Sequence, residues 1–231
     1  MSLEKTPKIK LLKLPPSEND FLTKEECGVL LENLKNPWHN IVLTAIKTGL
    51  RMGELRGLKW QDINWENRSL TVRHTWCDYK KDLVAPKSNR SRNIPLTDEV
   101  YVDLLTRKGR GVGFVFTEKG GGRFNDKSLN REIKKACKKT GLRKVTCHTL
   151  RHTFASHLAM AGAPLGAIQR LLGHADIQTT MRYAHLSNST LQDVISLLEP
   201  ENYGQYMGTT TPDKLENSDG VRVPSDKVSL H

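Results

Sequence analysis

His148-Thr149-Leu150-Arg151-His152-Thr153-Phe154-Ala155-Ser156-His157-Leu158 carries more information about the fold than any other segment of the chain. Residues three or four apart in a helix share a face, so His148 and Arg151 stand together on one side. Leu150 and Phe154, four apart, form a second side and belong in a core. His148 and His152 make an HxxxH pair, a spacing that can hold zinc. A zinc-protease helix needs Glu directly after the first His, and Thr149 stands there instead, so no metal site is expected. His152 and His157 read as packed or capping histidines.

Toward the C-terminus, helices are expected at 147–161, 164–172, near 179–184 and at 189–198. Pro164 suits a first turn and Gly173 a helix stop. His174 falls just past that stop, and Tyr183 follows nine residues later on a short helix. Residues 200–231 are polar and rich in Pro, Gly and Thr, which predicts a mobile tail.

Toward the N-terminus, Leu129, Ile133, Ala136 and Cys137 mark a helix closed by Gly141. The chain also reads as helical from Thr97 through Val100, Leu104 and Leu105. Ser69 to Trp76 alternates as a strand, and Ser91 to Leu96 reads as another, with Pro95 placing it at an edge or a strand end. A polar, basic turn region is expected between them, and a small antiparallel sheet follows from the two. Trp38, Ile41, Val42, Ala45 and Ile46 line one side of a helix that stops near Gly49. Before it, Thr23 and Glu26 form a capping box, and Cys27, Leu30, Leu31 and Leu34 make its inward face up to Pro37. Residues 1–19 carry Pro7, Pro15 and Pro16 and read as a leader or linker. The expected organisation is a mainly α domain with a small antiparallel sheet, α+β in class, over residues 20–199.

Charge narrows the class of partner. The chain has 231 residues, 36 of them Lys or Arg against 25 Asp or Glu, a net of +11. The excess is uneven: residues 131–144 hold seven basic side chains and one acid, whereas residues 200–231 carry a net of −2. A basic body suits a polyanion, although a solvated helix face produces the same count. No apolar run approaches the roughly 18 residues that span a bilayer. The four cysteines, Cys27, Cys77, Cys137 and Cys147, form no CxxC pair and read as reduced thiols in apolar slots, which points to the cytoplasm.

Two further pieces look ordinary alone. Arg51, in Thr48-Gly49-Leu50-Arg51-Met52-Gly53-Glu54-Leu55, projects from a turn between two helices and by itself reads as a partner of Glu54. Lys87, in Pro86-Lys87-Ser88 ahead of Arg92-Asn93-Ile94-Pro95-Leu96, reads as a solvated lysine beside a β-turn. In combination they are not ordinary. Arg51, Lys87, His148, Arg151, His174 and Tyr183 follow the order and approximate spacing of the tyrosine recombinase (phage integrase) family. The flanking words TGLRMGEL, HTLRHTFASHL and LLGHADIQTTMRYAH resemble that family's boxes, over residues 20–198.

The resemblance implies the family's DNA breaking-rejoining fold, with a three-stranded sheet. It also implies transesterification through a 3′-phosphotyrosyl link, needing neither ATP nor a cofactor; the sequence holds no P-loop motif. By resemblance Tyr183 is the nucleophile and Lys87 the general acid for the leaving 5′-oxygen. His148 is the candidate base, and His174 a donor to a phosphate oxygen. Arg51 and Arg151 suit the non-bridging oxygens because guanidinium donates paired hydrogen bonds in a fixed plane. A tyrosine's ordinary pKa of about 10 leaves it protonated at neutral pH, so it needs a base or a positive field. Glu54 is expected to hold Arg51 or a histidine in place. Arg90, Arg92, Lys134, Lys135, Lys138, Lys139, Arg143 and Lys144 are expected on the DNA-facing surface. The implied partners are double-stranded DNA and, when active, three further protomers on two DNA sites, with a monomer expected for the isolated domain. The family's N-terminal clamp domain is expected to be absent from this chain. Two other classes stay open: a catalytically silent DNA-binding relative, against which the intact set of six residues argues, and a type IB topoisomerase, which shares the chemistry but only relaxes DNA, the integrase-like boxes favouring recombination.

Overall fold

The computed structural model describes residues 21–86, 91–108, 112–118, 122–187 and 195–196. The chain divides into two units, residues 1–188 and 189–231, and the elements named here all lie in the first. The expected helix at 189–198, the leader at 1–19 and the tail at 200–231 fall outside the described residues, apart from 195–196.

Helix α1 spans Lys24–Glu32. Its capping box is closed: Thr23 Oγ1 accepts from the Glu26 amide at 3.2 Å, and Glu26 accepts from the Thr23 amide at 2.8 Å. Cys27, Leu30 and Leu34 are buried, and Leu31 packs at the margin. The helix ends at Glu32, earlier than Pro37, and a turn leads into α2, Trp38–Thr48. Helix α2 is buried nearly all round, including Leu43 and Thr44, rather than along the single stripe expected. A helix in that position is the centre of the core.

Gly49 ends α2 in the left-handed region, at φ +63°. A Cβ there would sit 2.4 Å from Phe154 Cδ1, so both backbone and space demand glycine. Leu50 is buried, Arg51 is the N-cap, and helix α3 runs Met52–Gly57. The turn between two helices places Arg51 as expected.

Three short strands form one antiparallel sheet: β1 at Ile63–Asn64, β2 at Ser69–Val72 and an edge strand at Arg92–Pro95. Leu70 lies opposite Ile63 on one side and Ile94 on the other, and all three are buried. The stretch 69–76, expected as one strand, breaks after Val72. Thr75–Cys77 is a separate strand, β3, paired with β4, Asp82–Val84, which lies in the expected turn region. The edge strand is therefore β5. The break has a steric reason: β3 leaves the sheet to lie on α3, where two glycines make room. A Cβ on Gly53 would be 2.4 Å from Thr75 Oγ1, and one on Gly57 would be 3.2 Å from the Trp76 nitrogen.

Helix α4 spans Asp98–Arg107; Val100 and Leu104 face inward, but Leu105 is exposed, being about 100° further round. Helix α5, Asp126–Thr140, buries Leu129, Ile133, Ala136 and Cys137 and stops at Gly141, φ +74°. Helix α6, Cys147–Met160, starts from a Thr146 cap whose Oγ1 accepts from the Thr149 amide. It joins two apolar clusters: Leu150 belongs to the main core, and Phe154, Ala155 and Ala159 to a second with Ile168, Leu172 and Tyr183. Helices α7, Leu165–Leu172, and α8, Gln178–Met181, complete this second layer, with a 3-10 turn at Ala184–Leu186.

Candidate active site

The site is organised by the C-terminal end of α7. The last carbonyls of a helix lack amide partners within it and carry partial negative charge. Here three successive carbonyls each take one arginine. Leu171 O accepts from Arg92 Nε at 2.8 Å, Leu172 O from Arg151 Nη2 at 2.7 Å, and Gly173 O from Arg51 Nη2 at 3.2 Å. Arg151 also donates from Nη1 to Gly49 O, the carbonyl past the end of α2. Arg51 and Arg151 come from elements a hundred residues apart in sequence and are brought together by two helix ends, each closed by a left-handed glycine.

Glu54 is the carboxylate inside this group. It is 2 % exposed. Its Oε1 accepts from Arg51 Nη1 at 3.1 Å and Arg92 Nη1 at 2.9 Å; its Oε2 accepts from Arg92 Nη2 at 2.6 Å and the Arg51 amide at 2.8 Å. Burial pushes the Glu54 pKa up, but the hydrogen bonds and charge of Arg92, and then those of Arg51, outweigh it and hold the carboxyl below its ordinary value. Arg92, expected to face DNA, does not. Its side chain is 8 % exposed and engaged by Glu54 and Leu171 O, so its place is inside the fold.

Arg151 is largely buried; that burial, and after it the charge of Arg51, bring its guanidinium down to about 9, still charged at neutral pH. His174 follows Gly173. Burial first, then Arg151, Arg51, Arg92 and His152, pull its imidazole down to about 4, so it is neutral at pH 7. Its Nδ1 lies 2.9 Å from Oγ1 of the fully buried Thr180. A hydroxyl donating there leaves the ring hydrogen on Nε2, free to donate to an oxyanion.

Tyr183 follows α8 and is 4 % exposed, packed in the second cluster. Its phenol oxygen is 2.6 Å from Nδ1 of His152, whose ring lies 6.5 Å from that of His148, edge to face. His148 is exposed on the outer side of α6. The structure thus brings together Arg51, Arg151, His174, Tyr183 and Glu54 from the sequence reading. Lys87 and Arg90 lie outside the described residues. His152, read from the sequence as a packing residue, is the histidine on the phenol. Its position directly after Arg151 and one turn beyond His148 was the available signal. His157 does pack: its Nε2 meets Leu22 O at 2.8 Å, with the ring against Phe21.

The basic run 131–144 separates into two faces. Lys134, Lys138 and Lys144 line a cleft of about 870 Å³ that reaches His148. Arg131, Lys135 and Lys139 line a different hollow beside Pro37 and Trp38. Arg143, expected at the DNA surface, is paired with Glu26 and the Phe21 carbonyl.

A mainly helical α+β fold that gathers these groups is that of tyrosine recombinase catalytic domains. The Tn1549 transposon integrase, solved in complex with a circular intermediate DNA, superposes with a TM-score of 0.67 at 25% identity, covering 81% of this chain and 68% of that one. A family model described as the phage integrase family matches residues 20–190, and the chain belongs to that family. Tyrosine recombinase XerA of Pyrococcus furiosus is 32% identical over 201 residues, 83% of this chain and 66% of the relative. The integrase of Escherichia phage P2 is 34% identical over 188 residues, 81% of this chain and 49% of the relative. The chain spans about half to two thirds of the length of these two curated relatives.

Proposed function

We propose that this chain is the catalytic part of a site-specific DNA recombinase of a mobile element, cutting and rejoining strands through a covalent bond to Tyr183. One observation carries the reading: Arg51, Arg151 and Arg92 converge on one helix end with a single buried carboxylate, Glu54, among them. Such an excess of fixed positive charge calls for an anion, and His174 and Tyr183 stand beside it. In the reaction, the Tyr183 oxygen attacks the scissile phosphorus, the P–O5′ bond breaks, and a 5′-hydroxyl leaves. Arg51, Arg151 and His174 donate to the non-bridging oxygens, where preorganised donors act most strongly. Lys87 supplies the proton to the leaving oxygen. The phenol proton needs an acceptor, and α6 offers His148 and His152. A 5′-hydroxyl of another strand reverses the step, so phosphodiester energy is kept in the tyrosyl ester. Two Arg and one Lys supply the positive field, His174 adds a neutral donor, and the chemistry calls for no metal.

The partner is double-stranded DNA, tracked by Lys134, Lys138 and Lys144 beside the site, in the soluble, DNA-associated setting of a cytoplasmic recombinase. The active form is four protomers on two duplexes, and the isolated domain is a monomer. The test is covalent trapping on a nicked suicide duplex selected from a library of sites. An SDS-resistant adduct in wild type that disappears in Tyr183→Phe supports the reading. A folded wild-type protein that binds the duplex and never forms an adduct sinks it and favours a silent DNA-binding relative.

A further inference from the structure

We propose that His152 takes the phenol proton of Tyr183, leaving His148 to face the DNA side of α6. The inference rests on the recombinase reading above and deepens it.

The geometry places the acceptor. His152 Nδ1 is 2.6 Å from the Tyr183 oxygen, within the range for a hydroxyl donating to nitrogen. The two rings are tilted by 51° with centroids 5.9 Å apart, so the contact is made edge-on by the ring nitrogen rather than by stacking. Among the described residues His148 has its ring contact with His152, at 6.5 Å between centroids. The order outward along α6 is therefore Tyr183, His152, His148. A candidate base must first reach the proton it removes, and His152 meets that requirement.

The surroundings favour the transfer. Arg151, the residue before His152, attracts the ionised phenol, and the Arg182 guanidinium lies 6.0 Å from the Tyr183 ring. His174 faces the same space from the α7–α8 connection, and burial and the arginines hold it neutral at pH 7. Two cations near the phenol stabilise the negative charge that its oxygen gains as the proton leaves. The proton passes to His152 as the oxygen attacks phosphorus. The Oη–H bond breaks as Nδ1–H forms, and the tyrosine electron pair makes the new P–O bond. The P–O5′ bond breaks, and the leaving oxygen takes its proton from Lys87. In the reverse step the phenolate leaves and recovers the proton from His152.

The experiment is the suicide-duplex assay, run as a time course on wild type, Tyr183→Phe, His152→Asn and His152→Ala. The Asn Oδ1 sits where Nδ1 does and accepts the phenol hydrogen bond, yet it cannot hold the proton. Loss of a base slows adduct formation by roughly 10²–10⁴-fold. His152→Asn and His152→Ala are both expected in that range, and added imidazole restores His152→Ala but not Tyr183→Phe. A His152→Asn rate equal to wild type shows that the hydrogen bond alone matters and overturns the inference. Equal slowing of both variants with no response to imidazole, and with melting temperatures unchanged, also overturns it. Absence of an adduct in wild type is a separate result, which removes the recombinase reading and this inference together.

Discussion

Arg92 and Glu54 meet as a parallel fork, Nη1 to Oε1 at 2.9 Å and Nη2 to Oε2 at 2.6 Å, with both side chains nearly closed to solvent. The pair ties the edge strand β5 to α3, and Arg92 Nε extends the tie to the end of α7. Strand β5 is thereby locked to α3, which Arg51 caps, and to the end of α7, which His174 follows, and Arg151 reaches the same helix end from α6. Bidentate geometry is what lysine lacks. Arg92→Lys is expected to lower stability and adduct yield together. Arg92→Ala leaves a buried carboxylate facing Arg51 alone and should cost about 3–5 kcal/mol in denaturant unfolding. A change under about 0.5 kcal/mol, the size of an ordinary surface substitution, would show that the pair is not structural.

Gly173→Ala meets two obstacles, a φ of +65° and an added Cβ 2.9 Å from Arg92 Nη1. Gly141→Ala meets only the first, at φ +74° with nothing within 4 Å. Both are expected to destabilise, Gly141→Ala by about 1 kcal/mol. Gly173→Ala should lose more and also lose cleavage, because Arg92 and Arg51 both hydrogen-bond around that residue. Parallel melts and trapping assays compare them, and equal behaviour would mean that the close approach to Arg92 has no consequence.

Arg151→Lys keeps a charge but cannot span Gly49 O and Leu172 O while donating to a phosphate. Adduct formation should fall by about 10²–10³-fold. Binding of uncleaved duplex should change far less, since an electrostatic interaction is retained. Gel-shift affinity and trapping rate on the same duplex separate the two effects.

His174 gives a pH dependence with a definite sign. Its folded pKa, about 4, lies below the ordinary histidine value of about 6.5. Between those values the unfolded chain binds a proton that the folded chain does not, so stability rises with pH across this window. The contribution is complete above about 6.5 and is lost as pH falls toward 4. Glu54, also depressed, adds a loss in the same direction at lower pH. Denaturant unfolding from pH 4 to 7 should show a shallower slope in His174→Gln; an unchanged slope would place the titration elsewhere.

The two faces of the basic run predict different salt responses. Removing one lysine that neutralises a DNA phosphate should reduce the slope of log K against log salt by about 0.9, because one fewer set of condensed counterions is released. Lys134→Ala, Lys138→Ala and Lys144→Ala, beside His148, are expected to lower it. Lys135→Ala and Lys139→Ala, in the hollow beside Pro37, are expected to leave it unchanged. Titrations of one duplex at several salt concentrations check this.

The local features of this protein are legible in its residues alone. The Thr23–Glu26 box, the stops at Gly49, Gly141 and Gly173, and the inward faces of α1, α5 and α6 arise from interactions within a few residues, which spacing and residue type display. The order of Arg51, His148, Arg151, His174 and Tyr183 is equally legible, because the family's boxes are short words. Which partners meet over long separations is a matter for the packed chain. Arg92 reads as a surface charge because its partners, Glu54 and Leu171 O, lie 38 and 79 residues away. The strand at 69–76 breaks because Gly53 and Gly57 admit β3 against α3, a packing opportunity invisible to alternation. Tyr183 reaches His152 rather than His148 because the turn after α8 packs the tyrosine into the second cluster, one turn further along α6. A periodic pattern tells which side of a helix is buried; what it is buried against is settled only when the helices pack.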